Sequence, residues 1–547
     1  MANSSTKPIA VESDSIKVDF SERVRINQRH LNEGLKPHYD FIVCGSGSSG
    51  SAIAGRLAEN SNASILLLEA GGNDDVSSIM DPDRWLLNLG TEREWSFSAQ
   101  PNPNLNGRSI SQSMGKVLGG GSSINGLMWT RGHRHDWDFF ASEAGDTAWG
   151  YESVLNIYRR IEDWHGAPDP RYRGTGGPMF VQPAPNPNST PAVMIEGAKS
   201  IGIPLFDNPN GRMMETDGGA SMLDVIVHNG KRQSVFRSYV FPLMDRPNLT
   251  VLAHALVTRI TFDKKRATGV EIVYNNKMYR IGAGYEVVLS LGAINTPKVL
   301  MQSGIGDQAE LGHLKIPPVQ HLPGVGLNLQ DHFLIYGCVW EYSQPSVIPN
   351  AARAVLFWKT DRNLDTPDTQ IIQSDGGRVK SEMKNFGLAN DSWWSIAPGI
   401  VRPKSRGRLR LTGPNPADEI KIELNTLSDP DDMKAAITSI EICREIADSH
   451  ALRPFIKREL MPGKLKGIAL TDFVRDGIVT YWHQAGSAKM GRDPMSVVDA
   501  NLKVYGVNSL RIADGSIMPR VTTGNTMAPC VVIGERAAEL LKEQYNL

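Results

Sequence analysis

The chain of 547 residues has few of the features that place a protein outside the cell or in a membrane. Its four cysteines, at positions 44, 338, 443 and 530, form no CxxC pair, so we expect reduced thiols in a reducing compartment. No apolar run reaches the ~18 residues of a membrane helix. Residues 1–37 lack the apolar stretch of a signal peptide and are interpreted as a polar N-terminal extension. We therefore expect a cytoplasmic protein without a transmembrane segment.

The sequence also has almost no net charge and few signals for other enzyme classes. A formal charge of -1 gives no overall field that would attract nucleic acid. His133 and His135 form a weak metal-like pair, but no neighbouring ligand set completes a site, so we predict no metal. Asp331 and His332 could suggest a catalytic dyad, yet the chain has no GxSxG nucleophile motif, which argues against a hydrolase.

What the sequence does contain is a strand–turn–helix–strand unit near its start. Residues 41–44 form an apolar run typical of a buried parallel strand, and residues 65–68 form a second one. Between them lies a GxGxxG turn followed by helical spacing. A chain of 547 residues is longer than one hydrophobic core usually supports, so we expect at least two domains. This βαβ unit begins the first of them.

The glycines of this turn have distinct physical roles in a dinucleotide site. Gly45 permits the tight turn, Gly47 lets the backbone approach a pyrophosphate, and Gly50 lets the helix pack closely on the strand. Glu69 follows the second strand, where an acidic side chain accepts hydrogen bonds from a ribose. The motif predicts a dinucleotide but does not distinguish NAD from FAD.

Three further segments are unusual, although each has an ordinary alternative on its own. Residues 115–125 are rich in small residues, which suits either a ligand-facing backbone or a plain loop. Residues 292–306 are consistent with the end of a strand followed by a helix that stops at a glycine. Towards the C-terminus follow His483, an Ala-Asp-Gly-Ser stretch at 513–516, and Asn525. Taken singly, His483 and Asn525 are consistent with structural roles.

Taken together, these segments resemble the glucose–methanol–choline (GMC) oxidoreductases, flavoenzymes that include choline dehydrogenase and aryl-alcohol oxidase. The resemblance runs from about Tyr39 to Glu539. Residues 115–125 and 292–306 match the two family signatures, and residues 328–332 and 403–407 fit recurring family stretches. The spacing of His483 and Asn525 fits the catalytic pair, with Asn525 where other members carry a second His.

The resemblance implies an α/β fold (α+β overall) with a Rossmann-like FAD-binding domain and a substrate-binding domain built on an antiparallel sheet. We expect the FAD-binding domain at residues 38–163, 225–330 and 476–547, and the substrate-binding domain at 164–224 and 331–475. Ile124 stands where some members carry the His that links FAD covalently, so the resemblance implies non-covalent FAD. The residues implied to contact FAD are Gly45, Gly47, Ser48, Ser49, Gly50, Glu69, Ala70, Val117, Asn125, Gly126, Leu127, Met128, Val257, Trp482, Asp514, Gly515, Asn525 and Thr526.

The implied activity is oxidation of an alcohol by hydride transfer to flavin N5, with His483 as the base and Asn525 holding the developing alkoxide. The acceptor would be dioxygen or a quinone. Aromatic residues in the 331–425 segment favour a primary hydrophobic or aromatic alcohol, unless they only pack the core: Trp340, Tyr342, Phe357, Trp358, Trp393 and Trp394. Two other classes stay open: a hydroxynitrile lyase-like enzyme with no net redox change, and a non-catalytic FAD-binding protein. The intact His–Asn pair argues against the second.

Overall fold

The computed structural model describes residues 19–60, 62–184, 189–344, 354–375 and 392–547. The helices are α1 (Phe20–Glu33), α2 (Ser48–Ala58), α3 (Ser77–Met80), α4 (Gly121–Ile124), α5 (Arg134–Ala144), α6 (Tyr151–Ile161), α7 (Ser189–Ser200), α8 (Val235–Tyr239), α9 (Gly292–Gln302), α10 (Gln308–His313), α11 (Pro430–Ala447), α12 (Gly467–Gly477) and α13 (Met527–Tyr545). The first strands are β1 (His38–Cys44), β2 (Ile65–Leu68), β3 (Phe97–Ser98), β4 (Ser111–Gln112), β5 (Glu162–Trp164), β6 (Met179–Pro183), β7 (Gly219–Met222), β8 (Asp224–Val225), β9 (Val227–His228), β10 (Lys231–Arg232), β11 (Leu249–Leu252), β12 (Leu256–Asp263) and β13 (Arg266–Tyr274). The remaining strands are β14 (Lys277–Leu289), β15 (Ile305–Gly306), β16 (Gln320–His321), β17 (Phe333–Ile335), β18 (Val339–Tyr342), β19 (Ala354–Trp358), β20 (Thr369–Asp375), β21 (Trp393–Ile400), β22 (Arg408–Leu411), β23 (Ile420–Glu423), β24 (Ile456–Met461), β25 (Ile478–Thr480) and β26 (Leu510–Ile512).

The first of two large sheets is built around the βαβ unit. Its strands run in the order β11-β2-β1-β14-β13-β12, with β26 beside the last residues of β14. The pairs among β11, β2, β1, β14 and β26 are parallel, whereas β12, β13 and β14 form an antiparallel meander. The apolar residues of β1 and β2 are buried, as parallel strands covered on both faces require. This is the predicted Rossmann-like part of the fold.

The second large sheet is antiparallel, as predicted for the substrate-binding domain. Its order is β24-β18-β21-β20-β19-β7, and β17 pairs with both β21 and β25. Residues from α7 and α11 share a buried apolar cluster with one face of this sheet. The opposite face joins the apolar cluster that also contains the core of the first sheet, so the active site can form where the two meet.

Strand alternation decides which aromatic residues of the second sheet face the first. Trp340 and Trp394 lie in the outer cluster with ring centroids 5.5 Å apart, and Trp394 is fully buried. Phe357, on β19, points the other way and lies in the shared cluster. Because neighbours on a strand face opposite sides, Trp340, Tyr342 and Trp394 lie in the outer cluster and Trp358 packs against it, whereas Phe357 lies in the shared cluster and Trp393 in a separate small one.

The N-terminal segment that we interpret as a polar extension contains helix α1. Asp19 caps this helix by accepting a hydrogen bond from the Ser21 amide. The side chain of Gln28 donates to the backbone oxygens of Met244 and Leu249, and its own oxygen accepts from the Val251 amide. The end of the extension is therefore held against β11. Within the described ranges, no helix is both long enough and apolar enough to cross a membrane.

Candidate active site

The glycine turn after β1 has the geometry that a pyrophosphate needs. Gly45 has a φ of 96°, and a side chain there would collide with the backbone of Ser290. A Cβ on Gly50 would collide with the carbonyl oxygen of Gly45, which explains why α2 can begin so close to the strand. By contrast, a Cβ on Gly47 would have no atom within 4 Å, so the space in front of the α2 N-terminus is open. Ser48 and Ser49 form the first turn of this helix, whose amide groups and dipole favour an anion.

The segment 115–125 closes over the same turn. A Cβ on Gly120 would lie 2.8 Å from the Cα of Gly47, so only a glycine lets the two loops approach so closely. Val117 is buried and forms a β-bridge with Gly72, shortly after Glu69 and Ala70. Two of the four predicted segments therefore meet at one point.

Glu69 lies at the carboxyl end of β2, beside the start of β12. Its side chain accepts hydrogen bonds from the Ser46 amide at 3.1 Å, the Ser46 hydroxyl at 2.7 Å and the Gly71 amide at 2.9 Å. The Glu69 backbone bonds to Leu252 and Ala255, and Val257 is the second residue after Ala255. Burial raises the pKa of the Glu69 carboxyl, and its hydrogen bonds oppose that shift.

Asp514 and Gly515 come together with the 292–306 segment. The Asp514 carboxylate accepts from the Gly292 amide at 2.9 Å and from the Thr296 hydroxyl at 2.6 Å, at the start of α9. Gly515 opens the short 3₁₀ turn Gly515–Ile517, where the hydroxyl of Ser516 is buried without a hydrogen-bond partner in the described residues. The third and fourth predicted segments thus share one site.

The loop after α4 brings the expected flavin-facing residues towards the C-terminal segment. The Asn125 amide nitrogen lies 3.1 Å from the sulfur of Met527, next to Thr526, which precedes α13. Leu127 has a φ of 69°, and Met128 forms a β-bridge with Val225. Asn125, Gly126 and Met128 are partly exposed, so this loop presents its surface to the cleft.

His483 is buried directly after β25, and both of its ring nitrogens have partners. Its Nε2 lies 3.2 Å from Nδ2 of Asn525, and its Nδ1 lies 2.9 Å from Nδ1 of His332. The ring of Tyr481 stacks on the imidazole with centroids 4.6 Å apart. The backbone amide of His483 donates to Oδ1 of Asp331 at 2.8 Å. The imidazole is thus held on several sides.

The orientation of the Asn525 amide is fixed by two other side chains. Nε2 of Gln370 donates to Oδ1 of Asn525 at 3.1 Å, and the Thr130 hydroxyl lies 3.4 Å from the same oxygen. Since Oδ1 faces these donors, the NH₂ group faces His483. Gln370 lies on β20, so a strand of the antiparallel sheet orients the residue that contacts His483.

These contacts determine the tautomer of the neutral His483 ring. Nε2 accepts from Asn525, so the ring proton is on Nδ1, which donates to Nδ1 of His332. Burial lowers the pKa of His483 to about 3, and burial together with the neighbouring His483 ring lowers the pKa of His332 well below 6.5. Both rings are therefore neutral near pH 7, and Nε2 of His483 carries a lone pair that can act as a base once an alcohol hydroxyl takes the place of the Asn525 amide as its hydrogen-bond donor.

Two family models described as GMC oxidoreductase match residues 39–334 and 403–534 of the chain. The chain belongs to the GMC oxidoreductase family. It is 34% identical over 536 residues to an oxygen-dependent choline dehydrogenase from Brucella anthropi, covering 91% of this chain and 95% of the relative. It is 35% identical to the protein of the same name from Stenotrophomonas maltophilia, covering 93% and 96%. The structure of pyridoxine 4-oxidase from Mesorbium loti superposes with a TM-score of 0.86 at 27% identity, covering 93% and 99%.

As a GMC oxidoreductase, the protein is an FAD-dependent enzyme that oxidises CH–OH donors. The residues present fit FAD, because the open space at Gly47 lies before a helix N-terminus and Glu69 stands at the end of β2. No group of three or more His, Cys, Asp or Glu in the described ranges is placed to hold a metal ion. His133 instead caps α5, and its Nε2 lies 2.9 Å from the Thr216 oxygen, which is a structural role.

Trp482, the residue before His483, contacts a second tryptophan. The Trp85 and Trp482 rings meet edge to face with centroids 6.3 Å apart. Trp85 comes from the 3₁₀ turn Pro82–Asn88, and its ring lies near Gly126 of the loop that is expected to face the flavin. Trp482 has a φ of 60°, a conformation that few non-glycine residues adopt. The sequence names Trp482 only as a cofactor contact and does not single out Trp85.

His332 is the main functional residue that the sequence does not reveal. From the sequence it suggests only half of a hydrolase dyad. The antiparallel pairing of β17 with β25 places it opposite Tyr481, whose amide donates to the His332 oxygen at 2.9 Å. His332 belongs to the 328–332 stretch that resembles the family. Its contact with His483, 151 positions away, depends on the pairing of β17 with β25 and cannot be seen in the sequence.

Proposed function

We propose that the protein oxidises a primary aromatic or hydrophobic alcohol to the aldehyde, with His483 as the base and dioxygen as the acceptor. The observation that carries this proposal is the pairing of Nε2 of His483 with the Asn525 amide at 3.2 Å beside Trp482. An alcohol oxygen held between these two groups meets a base and a hydrogen-bond donor at once.

FAD, when bound, accepts a hydride from the alcohol carbon at its flavin ring. The protein contributes proton transfer and positioning. Nε2 of His483 takes the hydroxyl proton, and the Asn525 NH₂ group donates to the oxygen as negative charge develops on it. The Nδ1–H of His483 remains bonded to His332, so the ring cannot rotate away from the substrate. Burial of His483 excludes bulk water, which strengthens these interactions.

The proposed substrate class rests on four aromatic residues, of which Tyr481 contacts His483 and Trp482 directly precedes it in the chain. Trp85 and Trp482 offer two perpendicular apolar faces, Tyr481 stacks on the base, and Phe357 lies next to Gly524. Such a surface favours a flat apolar body next to a single hydroxyl. The relative at 27% identity is a pyridoxine 4-oxidase, and pyridoxine is an aromatic alcohol. A sugar would leave several hydroxyl groups without partners on these faces.

Choline is a second candidate, because curated relatives at 34–35% identity are named choline dehydrogenases. The Trp85 and Trp482 faces could hold a quaternary ammonium through cation–π contacts. Comparing kcat/KM for a benzyl-type alcohol, choline and glucose decides between these substrates. Turnover of choline or glucose that equals or exceeds that of the benzyl alcohol would contradict the proposed class.

Dioxygen is the proposed acceptor, and a quinone is its rival. After proton transfer His483 is positively charged beside the flavin, and a positive charge favours the first electron transfer to oxygen. The two electrons and two protons removed from the alcohol then leave as hydrogen peroxide. Stopped-flow mixing of reduced enzyme with air-saturated buffer tests this step. Reoxidation far slower than turnover with an artificial quinone would make the protein a dehydrogenase.

We also infer that FAD is held without a covalent bond. Ile124, at the position of the linking His in some family members, is buried against Ile79 and Val117. Acid precipitation should release the flavin into the supernatant, and flavin that stays with the polypeptide would contradict this inference. Anaerobic bleaching of the flavin by an alcohol would exclude both the lyase-like alternative and the non-catalytic one. The cytoplasmic location stays a prediction.

A further inference from the structure

The side chain of Arg232 is fully buried, yet it has no acidic partner in the described residues. Its Nε donates to the Ile79 oxygen at 2.9 Å, and Nη1 donates to the Ser122 oxygen at 3.1 Å and to Oδ1 of Asn125 at 2.7 Å. Nη2 donates to the Asn125 oxygen at 2.7 Å. All of these acceptors are neutral.

Other buried arginines of this protein are paired with carboxylates. Arg511 bonds to Glu286 at 2.8 Å, and Arg173 bonds to Glu162 at 3.0 Å and to Asp224 at 2.7 Å. A buried charge is strongly unfavourable without a counter-charge, because its hydration is lost. Burial lowers the pKa of Arg232 to about 9, with no opposing charge to raise it, so at pH 7 the guanidinium is still a cation.

The hydrogen bonds of Arg232 place its charge beneath the flavin-facing loop. Ser122 lies in α4, whose preceding glycine contacts Gly47 of the pyrophosphate turn. Asn125 opens the loop 125–128, and Arg232 binds both its side chain and its backbone oxygen. The cation therefore lies beside the segment that connects the glycine turn, which would hold the pyrophosphate of FAD, to the loop that would face its flavin.

We propose that Arg232 is the buried counter-charge for FAD and a positioning residue for the loop 125–128. FAD brings the negative charge of its pyrophosphate in both redox states, and its flavin gains a further negative charge when a hydride arrives. A cation fixed nearby in a medium of low dielectric constant favours both. Arg232 should therefore strengthen FAD binding and make reduction of the bound flavin more favourable. This inference rests on the proposed function only in requiring bound FAD.

The test compares Arg232→Met, which removes the charge, with Arg232→Lys, which keeps it but loses the planar fork. The midpoint potential of the bound flavin is measured by dye equilibration. For Arg232→Met we expect the equilibrium constant for reduction to fall by about tenfold or more, a shift of about 30 mV to more negative potential for a two-electron couple. Arg232→Lys should stay within about threefold of the wild type, although its loop contacts change. The same potential in Arg232→Met and wild type would overturn the charge role.

Arg259→Met is the matched control. Arg259 also donates to backbone oxygens, those of Gln302 and Pro414, but lies on β12 and makes no bond to the flavin-facing loop. The potential should be unaffected by this substitution. If it shifts the potential as far as Arg232→Met does, the effect is general and the proposal fails.

Titration of the apoproteins with FAD gives a second readout that needs no turnover. We expect the dissociation constant for FAD to rise at least tenfold more in Arg232→Met than in Arg232→Lys. If Arg232→Met binds no flavin, the Arg232→Lys variant tests the charge role. A flavin potential equal to that of the wild type supports this role, and a tenfold fall in the equilibrium constant for flavin reduction contradicts it. Wild-type protein that binds no FAD would instead contradict the cofactor on which the proposed function depends, which is a distinguishable result.

Discussion

Nδ1 of His332 lies 2.9 Å from Nδ1 of His483, and the two residues are 151 positions apart in the chain. His332 directly precedes β17 and His483 follows β25, so the antiparallel pairing of these strands creates the contact. His332 is therefore a positioning residue: it accepts the Nδ1 proton of His483 and leaves Nε2 unprotonated on the side of the substrate.

We expect His332→Leu to slow flavin reduction by about 10–10³-fold, because His483 loses the acceptor that selects its tautomer. His332→Asn is the matched variant, since its Oδ1 can occupy the place of Nδ1 and accept the same proton. It should recover most of the rate. Stopped-flow reduction at saturating alcohol measures the loss in kcat rather than in KM. Equal losses in the two variants would show that His332 acts only through packing.

His483→Ala should retain FAD and slow flavin reduction by ~10²–10⁴-fold, the contribution of a positioned base. Asn525→Ala should reduce the rate less, by about 10–10²-fold, because it removes one hydrogen bond to the developing alkoxide. Anaerobic stopped-flow absorbance at the flavin band measures both rates. A His483→Ala enzyme that is reduced at the wild-type rate would exclude His483 as the base.

The βαβ unit and its tight glycine turn were predictable because they depend on neighbouring residues. Apolar runs at 41–44 and 65–68 frame the turn, and Gly45 and Gly50 each have a local steric reason, whereas Gly47 borders open space. The contact between His483 and Asn525 was predictable only through the family resemblance, and their catalytic roles stay predictions, since a lone histidine is more often structural. The antiparallel character of the second sheet also came from that resemblance rather than from periodicity.

The features of the site that could not be predicted from the sequence depend on contacts between segments that are distant in the chain. The contacts of His332 and Gln370 arise from the pairing of β17 with β25 and of β20 with β21 in the second sheet. Arg232 looked like an ordinary basic residue, because burial without an acidic partner is a property of the packed core. The aromatic residues of the 331–425 segment were assigned to the pocket together, but Trp394 lies in the outer cluster and Trp393 in a separate small cluster, whereas Phe357 lies in the shared cluster next to Gly524.

Trp85→Ala should raise KM for a benzyl-type alcohol by about tenfold and change kcat little. Trp85 offers an apolar face but no group that takes part in proton transfer. Leu87→Ala is the control in the same 3₁₀ turn, since Leu87 is 57% exposed and its loss should leave KM unchanged. Steady-state kinetics with the same alcohol compare the variants. A fall in kcat without a rise in KM would place Trp85 in the chemistry rather than in substrate binding.

Asp331→Asn should change how stability depends on pH. Burial raises the pKa of the Asp331 carboxyl to about 7, and its bonds with Thr480 and the His483 amide oppose that shift. In the unfolded chain the pKa is about 3.9, so between pH 4 and 7 the folded protein holds a proton that the unfolded chain has lost. The stabilisation from this proton is complete below about pH 4 and is lost as the pH rises through 7.

The asparagine in the Asp331→Asn variant does not titrate, so the melting temperature of this variant relative to wild type should increase from pH 4.5 to about 7 and then level off. The depressed pKa values of His483 and His332 have the opposite effect on stability, but they are common to both proteins and cancel in the difference. Asp263→Asn, at an exposed carboxyl at the end of β12, is the control and should show no such trend. Scanning calorimetry across this range provides the measurement. A constant difference in melting temperature, or one that shrinks towards pH 7, would mean that Asp331 is already ionised in the folded protein at acidic pH.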